Sequence, residues 1–287
     1  MEFLINFFNL IRVKHFIKNF LIFLPLIIAN AYTKELLGNA LIAFLIFCLV
    51  TATIYVFNDI ADFSKDRLDP NKKDRLIVSG RININKAKII LIALFLISLF
   101  LAFKQKYFHL IIVYFFFNII YTLYFKSIRY LDICFLVFFF IIRIYIGGYS
   151  TNINISNHLL IFSICSFGYL AISKRLNILI KYRGKFLIYK TSDVKILKNL
   201  SIIFLISSNL YFIYYLLNYE AINPYSSPII LFLLFPIYLY LSSDFVKLSF
   251  VGKLKSDPIE HILSGKKYIS LIIFTFVIIF LSQYIKI

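Results

Sequence analysis

Hydrophobic residues run in long stretches along this chain, and the polar positions between them gather into short, charged knots. An apolar helix of roughly 20 residues spans a bilayer. The pattern predicts nine such spans, at about 16–31, 40–57, 87–103, 108–125, 133–149, 158–172, 201–217, 228–241 and 268–284. Inside lipid each span must satisfy its own backbone, which demands helices. The expected fold is therefore all-α: a polytopic membrane bundle of about nine transmembrane helices, in a single domain over 1–287. Residues 1–14 read as a short amphipathic lead carrying Arg12 and Lys14, and residues 173–198 as a polar, basic segment. Pro25 falls within the first span, where neighbouring helices can satisfy the freed carbonyl.

Composition supports this pattern. Of 287 residues, 61% are hydrophobic, more than a soluble domain of this length needs. There is no Trp, so the 21 Tyr and 34 Phe supply the interfacial aromatics. Cys48, Cys134 and Cys165 all lie within apolar runs and read as small core residues.

The net charge of +18 does not signal nucleic acid, because the bases sit in loops between spans and form no soluble basic domain. They set topology instead. The N-terminus and the loops after the second, fourth, sixth and eighth spans hold nearly all Lys and Arg. The alternate loops hold mainly Lys34, Lys104 and Lys106. The positive-inside rule then makes the basic loops cytoplasmic, in a multi-pass inner (plasma) membrane protein. Every charged cluster falls on that side, which points to one cytoplasmic active site at the membrane surface.

The richest cluster is Asn58–Arg81, N-D-I-A-D-F-S-K-D-R-L-D-P-N-K-K-D-R-L-I-V-S-G-R. Asp59, Asp62, Asp66 and Asp69 are spaced to share one face of a helix, which Pro70 would end. Such a stripe of like charge calls for a cation. Hard carboxylate oxygens suit Mg²⁺, which is commonly shared with substrate phosphates. Lys72, Lys73, Arg75 and Arg81 follow and can hold phosphate oxygens. Acids for a metal beside bases for phosphate suggest a diphosphate site. The same residues also fit a solvated, charged loop between two spans.

Three further clusters lie on the same side. Tyr121–Asp132 contains Lys126 and Arg129, as phosphate ligands or snorkelling anchors, and Asp132, as a metal ligand or orienting group. Arg143 lies within the fifth span, where a charge is costly unless paired or functional. Lys174–Tyr189 carries Lys174, Arg175, Lys181, Arg183 and Lys185, and Ser256–His261 carries Asp257, Glu260 and His261. Asp257 before Pro258 reads as a helix cap. No P-loop, nucleophile elbow, zinc motif or dinucleotide fingerprint is present.

Asn58–Asp66, N-D-I-A-D-F-S-K-D, resembles the N-D-x-x-D-x-x-x-D motif of the UbiA-type intramembrane prenyltransferase superfamily. Arg12–Pro25, Tyr121–Ile133, Ile172–Leu179 and Asp257–Leu263 are similar, in order, to signatures of its decaprenyl-phosphate phosphoribosyltransferase branch. The chain departs from that branch at Leu76, where Pro follows the Arg, at Asn177, where Glu is usual, and at Phe16, where Trp is usual.

The resemblance implies Mg²⁺-dependent transfer of 5-phosphoribose from phosphoribosyl diphosphate to a polyprenyl phosphate, as a step toward lipid-linked pentose donors for cell-envelope glycans. It implies Asp59, Asp62 and Asp66 as metal ligands, with Asn58 orienting ligands or substrate. Lys18, Lys72, Lys73, Arg75, Tyr121, Lys126, Arg129, Asp132, Arg143, Lys174, Arg175 and Arg183 make up the expected substrate-binding set. The expected partners are the two substrates and the membrane; a homo-oligomer is compatible with the pattern. Two rival readings stand beside it: a UbiA-type enzyme moving a prenyl group to an aromatic or other acceptor, and a transporter.

Overall fold

The computed structural model describes residues 2–69, 72–182, 188–217, 225–255, 261 and 265–285. Those residues are helical with short connections, and no strand occurs among them. In chain order the helices are α1 (Glu2–Leu10), a 3₁₀ helix (Val13–Phe23), α2 (Leu24–Ile28), α3 (Lys34–Ala61), α4 (Phe63–Asp66), α5 (Ile84–Ala102), α6 (Phe108–Leu123), α7 (Leu131–Thr151), α8 (Asn157–Tyr182), α9 (Val194–Leu217), α10 (Leu234–Phe250) and α11 (Lys266–Tyr284). A 3₁₀ turn, Pro228–Leu233, leads into α10. Seven segments are long and apolar enough to cross a membrane: α3, α5, α7, α8, Thr191–Leu217, Pro228–Phe250 and α11. The apolar α6 has 16 residues. The chain is an integral membrane protein.

The first expected span is not one α-helix. Pro25 lacks an N–H, so an α ladder cannot run through it, and α2 instead restarts with Pro25 in its first turn. The eleven residues before it wind as 3₁₀. The expected basic segment at 173–198 also differs, because α8 continues through its first ten residues to Tyr182. Lys174 and Arg175 therefore stand on a helix. Cys48 is buried as expected, whereas Cys134 is exposed.

The chain forms two compact units, one of residues 1–132 and 142–155, the other of 133–141 and 156–287. In the first, α3 is the inner helix. Its apolar window is 61% buried, against 17% for α5, and it packs on the 3₁₀ helix, α5 and α6. Thr33 caps it by accepting a hydrogen bond from the Leu36 N–H at 3.3 Å. At 28 residues α3 is about 42 Å long, which exceeds a hydrocarbon core of about 30 Å. Its last turns can therefore reach the polar interface, where the acids begin.

Beneath those acids Leu10, Ile11, Ala52, Val56, Leu76, Ile77 and Ile82 form a shared apolar cluster. It joins the amphipathic lead to the loop that follows the acids. The loop reverses at Gly80, whose φ of +76° lies in the left-handed region that glycine enters without a Cβ clash. Asn83 then caps α5, accepting from the Asn85 N–H at 2.8 Å.

In the second unit α8, α9 and α10 pack together. Polar bonds cross among them: Ser166 and Tyr238 hydroxyls lie 2.8 Å apart, and Asn209 Nδ2 donates to Ser242 Oγ at 3.4 Å. Without a hydrophobic driving force in lipid, such bonds help hold helices together. Tyr169, Phe245, Val246 and Leu254 form an apolar cluster nearby.

Candidate active site

The expected stripe of four aspartates on one helix is broken. α3 ends at Ala61, Asp62 caps it, and α4 covers only Phe63–Asp66. Asp69 lies beyond any helix, and Pro70 falls outside the described residues. The break has a chemical effect, because it turns neighbouring carboxylates toward different cations.

Asp59 Oδ1 accepts from Arg75 Nη1 at 3.2 Å and from Arg12 Nη2. The same Arg75 nitrogen donates to Asp66 Oδ2. Lys72 Nζ donates to Asp66 Oδ1 at 2.8 Å and lies 3.8 Å from Asp69. Asp62 Oδ1 instead accepts from Lys126 Nζ. Asn58 Oδ1 accepts from Thr122 Oγ1 at 2.5 Å, which ties the end of α3 to α6. Asp66 is 1% exposed and Asp59 8%. Buried carboxylates need paired charge, and here each has it.

These contacts bring together Asn58, Asp59, Asp62, Asp66, Lys72, Arg75 and Lys126 from the expected set, all in the first unit. Lys73 is exposed on the same loop, Lys18 is half-buried on the 3₁₀ helix and Tyr121 is half-buried on α6. Arg129 is half-buried between α6 and α7, and Asp132 is fully buried in the first turn of α7. Lys174 and Arg175 are half-buried on α8 in the second unit. Arg183, Lys185, Asp257, Pro258 and Glu260 lie outside the described residues.

Arg12 and Thr122 belong to this cluster and were absent from the expected set. Arg12 is 47 residues from Asp59 in sequence, so local spacing cannot reveal the pair. The only hint was its place at the head of the Arg12–Pro25 segment. Thr122 likewise lies within the Tyr121–Ile133 segment, but nothing in its residue type marks it.

Arg143 lies in a separate, buried group of the first unit. Its Nε donates to Asn19 Oδ1 at 3.1 Å and its Nη2 to Tyr114 Oη at 3.2 Å. Its guanidinium lies 5.3 Å from the Phe47 ring centroid and 5.5 Å from that of Tyr114. Asn19 Nδ2 donates in turn to Thr51 Oγ1 at 3.1 Å and to Cys48 Sγ at 3.3 Å.

The donor set at the end of α3 is hard oxygen, which suits Mg²⁺. Asp59 and Asp66 converge on one positively charged nitrogen, so the space between them already favours a cation. Asp62 faces elsewhere, and among the described residues no three of His, Cys, Asp and Glu converge as a ready-made metal group. The residues fit a cation as a pair, with Asp62 available if its bond to Lys126 opens.

The first unit thus sets a knot of paired acids and bases at the end of a long, apolar inner helix. Residues 20–248 match the UbiA prenyltransferase family, and the chain belongs to that family. The fold agrees: a UbiA homolog from Archaeoglobus fulgidus, solved with DMAPP and Mg²⁺, superposes with a TM-score of 0.69 over 96% of this chain and 99% of that one, at 16% identity. Nodulation protein NoeC of Azorhizobium caulinodans is 30% identical over 174 residues, 60% of this chain and 57% of its own length. Decaprenyl-phosphate phosphoribosyltransferase of Corynebacterium glutamicum is 27% identical over 197 residues, 66% of this chain and 57% of its own length. The chain thus spans little more than half the length of these curated relatives.

Proposed function

We propose that this protein transfers 5-phosphoribose from phosphoribosyl diphosphate to a polyprenyl phosphate, using a divalent metal, at the cytoplasmic face of the plasma membrane. The observation that carries the reading is the charge-paired knot at the end of α3, with Asp59 and Asp66 converging on Arg75 and with Lys72 and Lys126 beside them. Similarity to the phosphoribosyltransferase of C. glutamicum supports this choice of substrates.

The reaction breaks the bond between the ribose anomeric carbon and the diphosphate oxygen. An oxygen of the acceptor phosphate forms the new bond. Positive charge develops at the anomeric carbon and negative charge on the departing diphosphate. Asp59 and Asp66, joined by Asp62, would hold Mg²⁺, which neutralises that departing charge. Lys72, Arg75 and Lys126 bind the diphosphate oxygens and orient the donor. Asn58, held by Thr122, fixes the end of α3 on which the acids stand. The acceptor phosphate is already anionic, so the step requires no strong general base. Its isoprenoid tail lies among the apolar helices.

The description of the family as prenyltransferases favours a second reading, in which the leaving diphosphate belongs to a prenyl donor. One experiment separates the two. Purified protein in detergent is given phosphoribosyl diphosphate with polyprenyl phosphate, or a prenyl diphosphate with an aromatic acceptor, and product mass is measured. A phosphoribosylated lipid supports the first reading; a prenyl adduct alone replaces it with the second.

A further inference from the structure

Arg12 and Arg75 meet at one oxygen. Asp59 Oδ1 accepts from Arg12 Nη2 and, at 3.2 Å, from Arg75 Nη1, which also donates to Asp66. Two guanidinium groups repel each other unless an anion lies between them, so this geometry depends on bare carboxylates.

Arg12 is held there by its surroundings. Its φ of 54° and ψ of 51° put it in the left-handed region, which a residue with a Cβ occupies only when its neighbours impose it. Its guanidinium lies 5.3 Å from the Tyr55 ring centroid, and Tyr55 stands one turn before Asp59 on α3. The preceding Leu10 and Ile11 are buried in the cluster that also holds Leu76 and Ile77, next to Arg75. The two arginines therefore reach the acids from the lead and from the loop, anchored on one apolar patch. Their side chains remain 27% and 29% exposed, so each can swing outward without crossing the core.

We propose that Arg12 and Arg75 are exchangeable counter-ions that make metal and diphosphate bind together. In the ligand-free protein they stand in the cation position beside Asp59 and Asp66. A metal alone must displace them into solvent, which disfavours its binding. A metal arriving with a diphosphate offers them phosphate oxygens in exchange. Arg12 thereby becomes a diphosphate-binding residue that the acidic motif does not reveal. The proposal rests on the metal–diphosphate reading above and adds the order in which the site is filled.

The test is Mn²⁺ binding to the full chain in detergent, followed by electron paramagnetic resonance with and without inorganic pyrophosphate. Wild type should bind Mn²⁺ weakly alone and about tenfold or more tightly with pyrophosphate, a coupling that acts equally in both directions. Arg12→Gln and Arg75→Gln should each tighten binding of Mn²⁺ alone and shrink the pyrophosphate effect, whereas Arg12→Lys, which keeps the charge, should behave like wild type. A mere fold defect would not tighten metal binding. If pyrophosphate still tightens Mn²⁺ binding to wild type but neither Gln variant changes binding of Mn²⁺ alone, the exchange is wrong and the metal–diphosphate reading survives. If no variant and no wild type binds Mn²⁺ even with pyrophosphate, that reading falls and the exchange falls with it.

Discussion

At the end of α3, Asp59 and Asp66 meet Arg12, Arg75 and Lys72, whose side chains keep 27%, 29% and 39% of their surface exposed. About 16 Å back along the same helix, at Phe47, Cys48 and Thr51, a different charge is enclosed. Arg143 is 4% exposed and is met by the Asn19 amide, the Tyr114 hydroxyl and two aromatic faces. The first cluster pairs carboxylates with cations that can swing into water, so its contacts can be exchanged for a ligand's. The second joins the 3₁₀ helix, α3, α6 and α7 through bonds among buried groups, so opening it would strand polar atoms in an apolar interior. We propose that the first cluster serves exchange and the second architecture.

The largest effect that could break this contrast is in the exchangeable cluster. Asp62→Asn keeps the size of the side chain but removes the charge that a hard cation needs. Turnover should fall at least about a hundredfold, roughly 2.7 kcal/mol of transition-state stabilisation. The melting temperature without ligand should hardly change, since a pair as accessible as Asp62–Lys126 contributes about 0–1 kcal/mol. Donor plus Mg²⁺ should raise the melting temperature of wild type, because it binds only the folded state, and the variant should lose most of that rise. Near-normal turnover in Asp62→Asn, or wild-type activity in excess chelator, would remove the acids from the chemistry.

Arg143→Ala probes the other side of the contrast. It leaves Asn19 and Tyr114 short of a buried partner and opens a void between helices. The expected cost is about 2–4 kcal/mol, read in a denaturation series in detergent. Specific activity of the fraction that remains folded should drop far less than stability does. A stable variant with a much raised donor KM would move Arg143 into the binding site and merge the two clusters.

The unequal legibility of the two clusters follows from the same physics. Apolar runs reveal spans because lipid imposes length and hydropathy, and α5 and α11 match the expected 87–103 and 268–284 to within three residues. The acids were legible because Asp59, Asp62 and Asp66 lie close in sequence. Their division between Arg75 and Lys126 was not, because the end of α3 at Ala61 depends on partners from the lead, the loop and the end of α6. Arg143 and Asn19 are 124 residues apart, and no periodicity records such a bond. The basic run after Ile172 reads as a break because charge interrupts an apolar span, yet a helix can continue beyond the hydrocarbon at little cost.

Gly147 tests how tightly the architectural cluster is closed. A Cβ there would come within 2.1 Å of the Ile22 carbonyl oxygen, which is backbone and cannot rotate aside. Gly147→Ala must push α7 away from the 3₁₀ helix that carries Asn19, one turn beyond Arg143 on α7. The expected loss is about 3 kcal/mol, at the upper end for overpacking. If Arg143 and Gly147 act through one packed interface, the double variant Arg143→Ala/Gly147→Ala should cost less than the sum of the single variants. Strict additivity would mean that the close approach and the buried guanidinium are independent.

The smallest effect concerns a residue that sequence alone could place on either side of the contrast. Asn177 stands where the resembled branch carries Glu, within a basic segment expected to meet substrate. In the second unit it is 2% exposed. Its Nδ2 donates to the Leu254 carbonyl at 3.2 Å and its Oδ1 accepts from the Leu254 N–H at 2.9 Å. Both backbone groups of one residue are thus satisfied by a single amide, which fixes the chain just after α10. That is an architectural contact. Asn177→Ala should cost about 1–2 kcal/mol, because it leaves a buried N–H and a buried carbonyl to be satisfied by water or not at all. Asn177→Asp retains the acceptor, loses the donor and buries a charge, so it should be no more stable than Asn177→Ala. Neither variant should change the donor KM once the protein is folded. A change in KM at unaltered melting temperature would show that the departure from Glu acts on substrate choice instead, and would extend the exchangeable chemistry to α8.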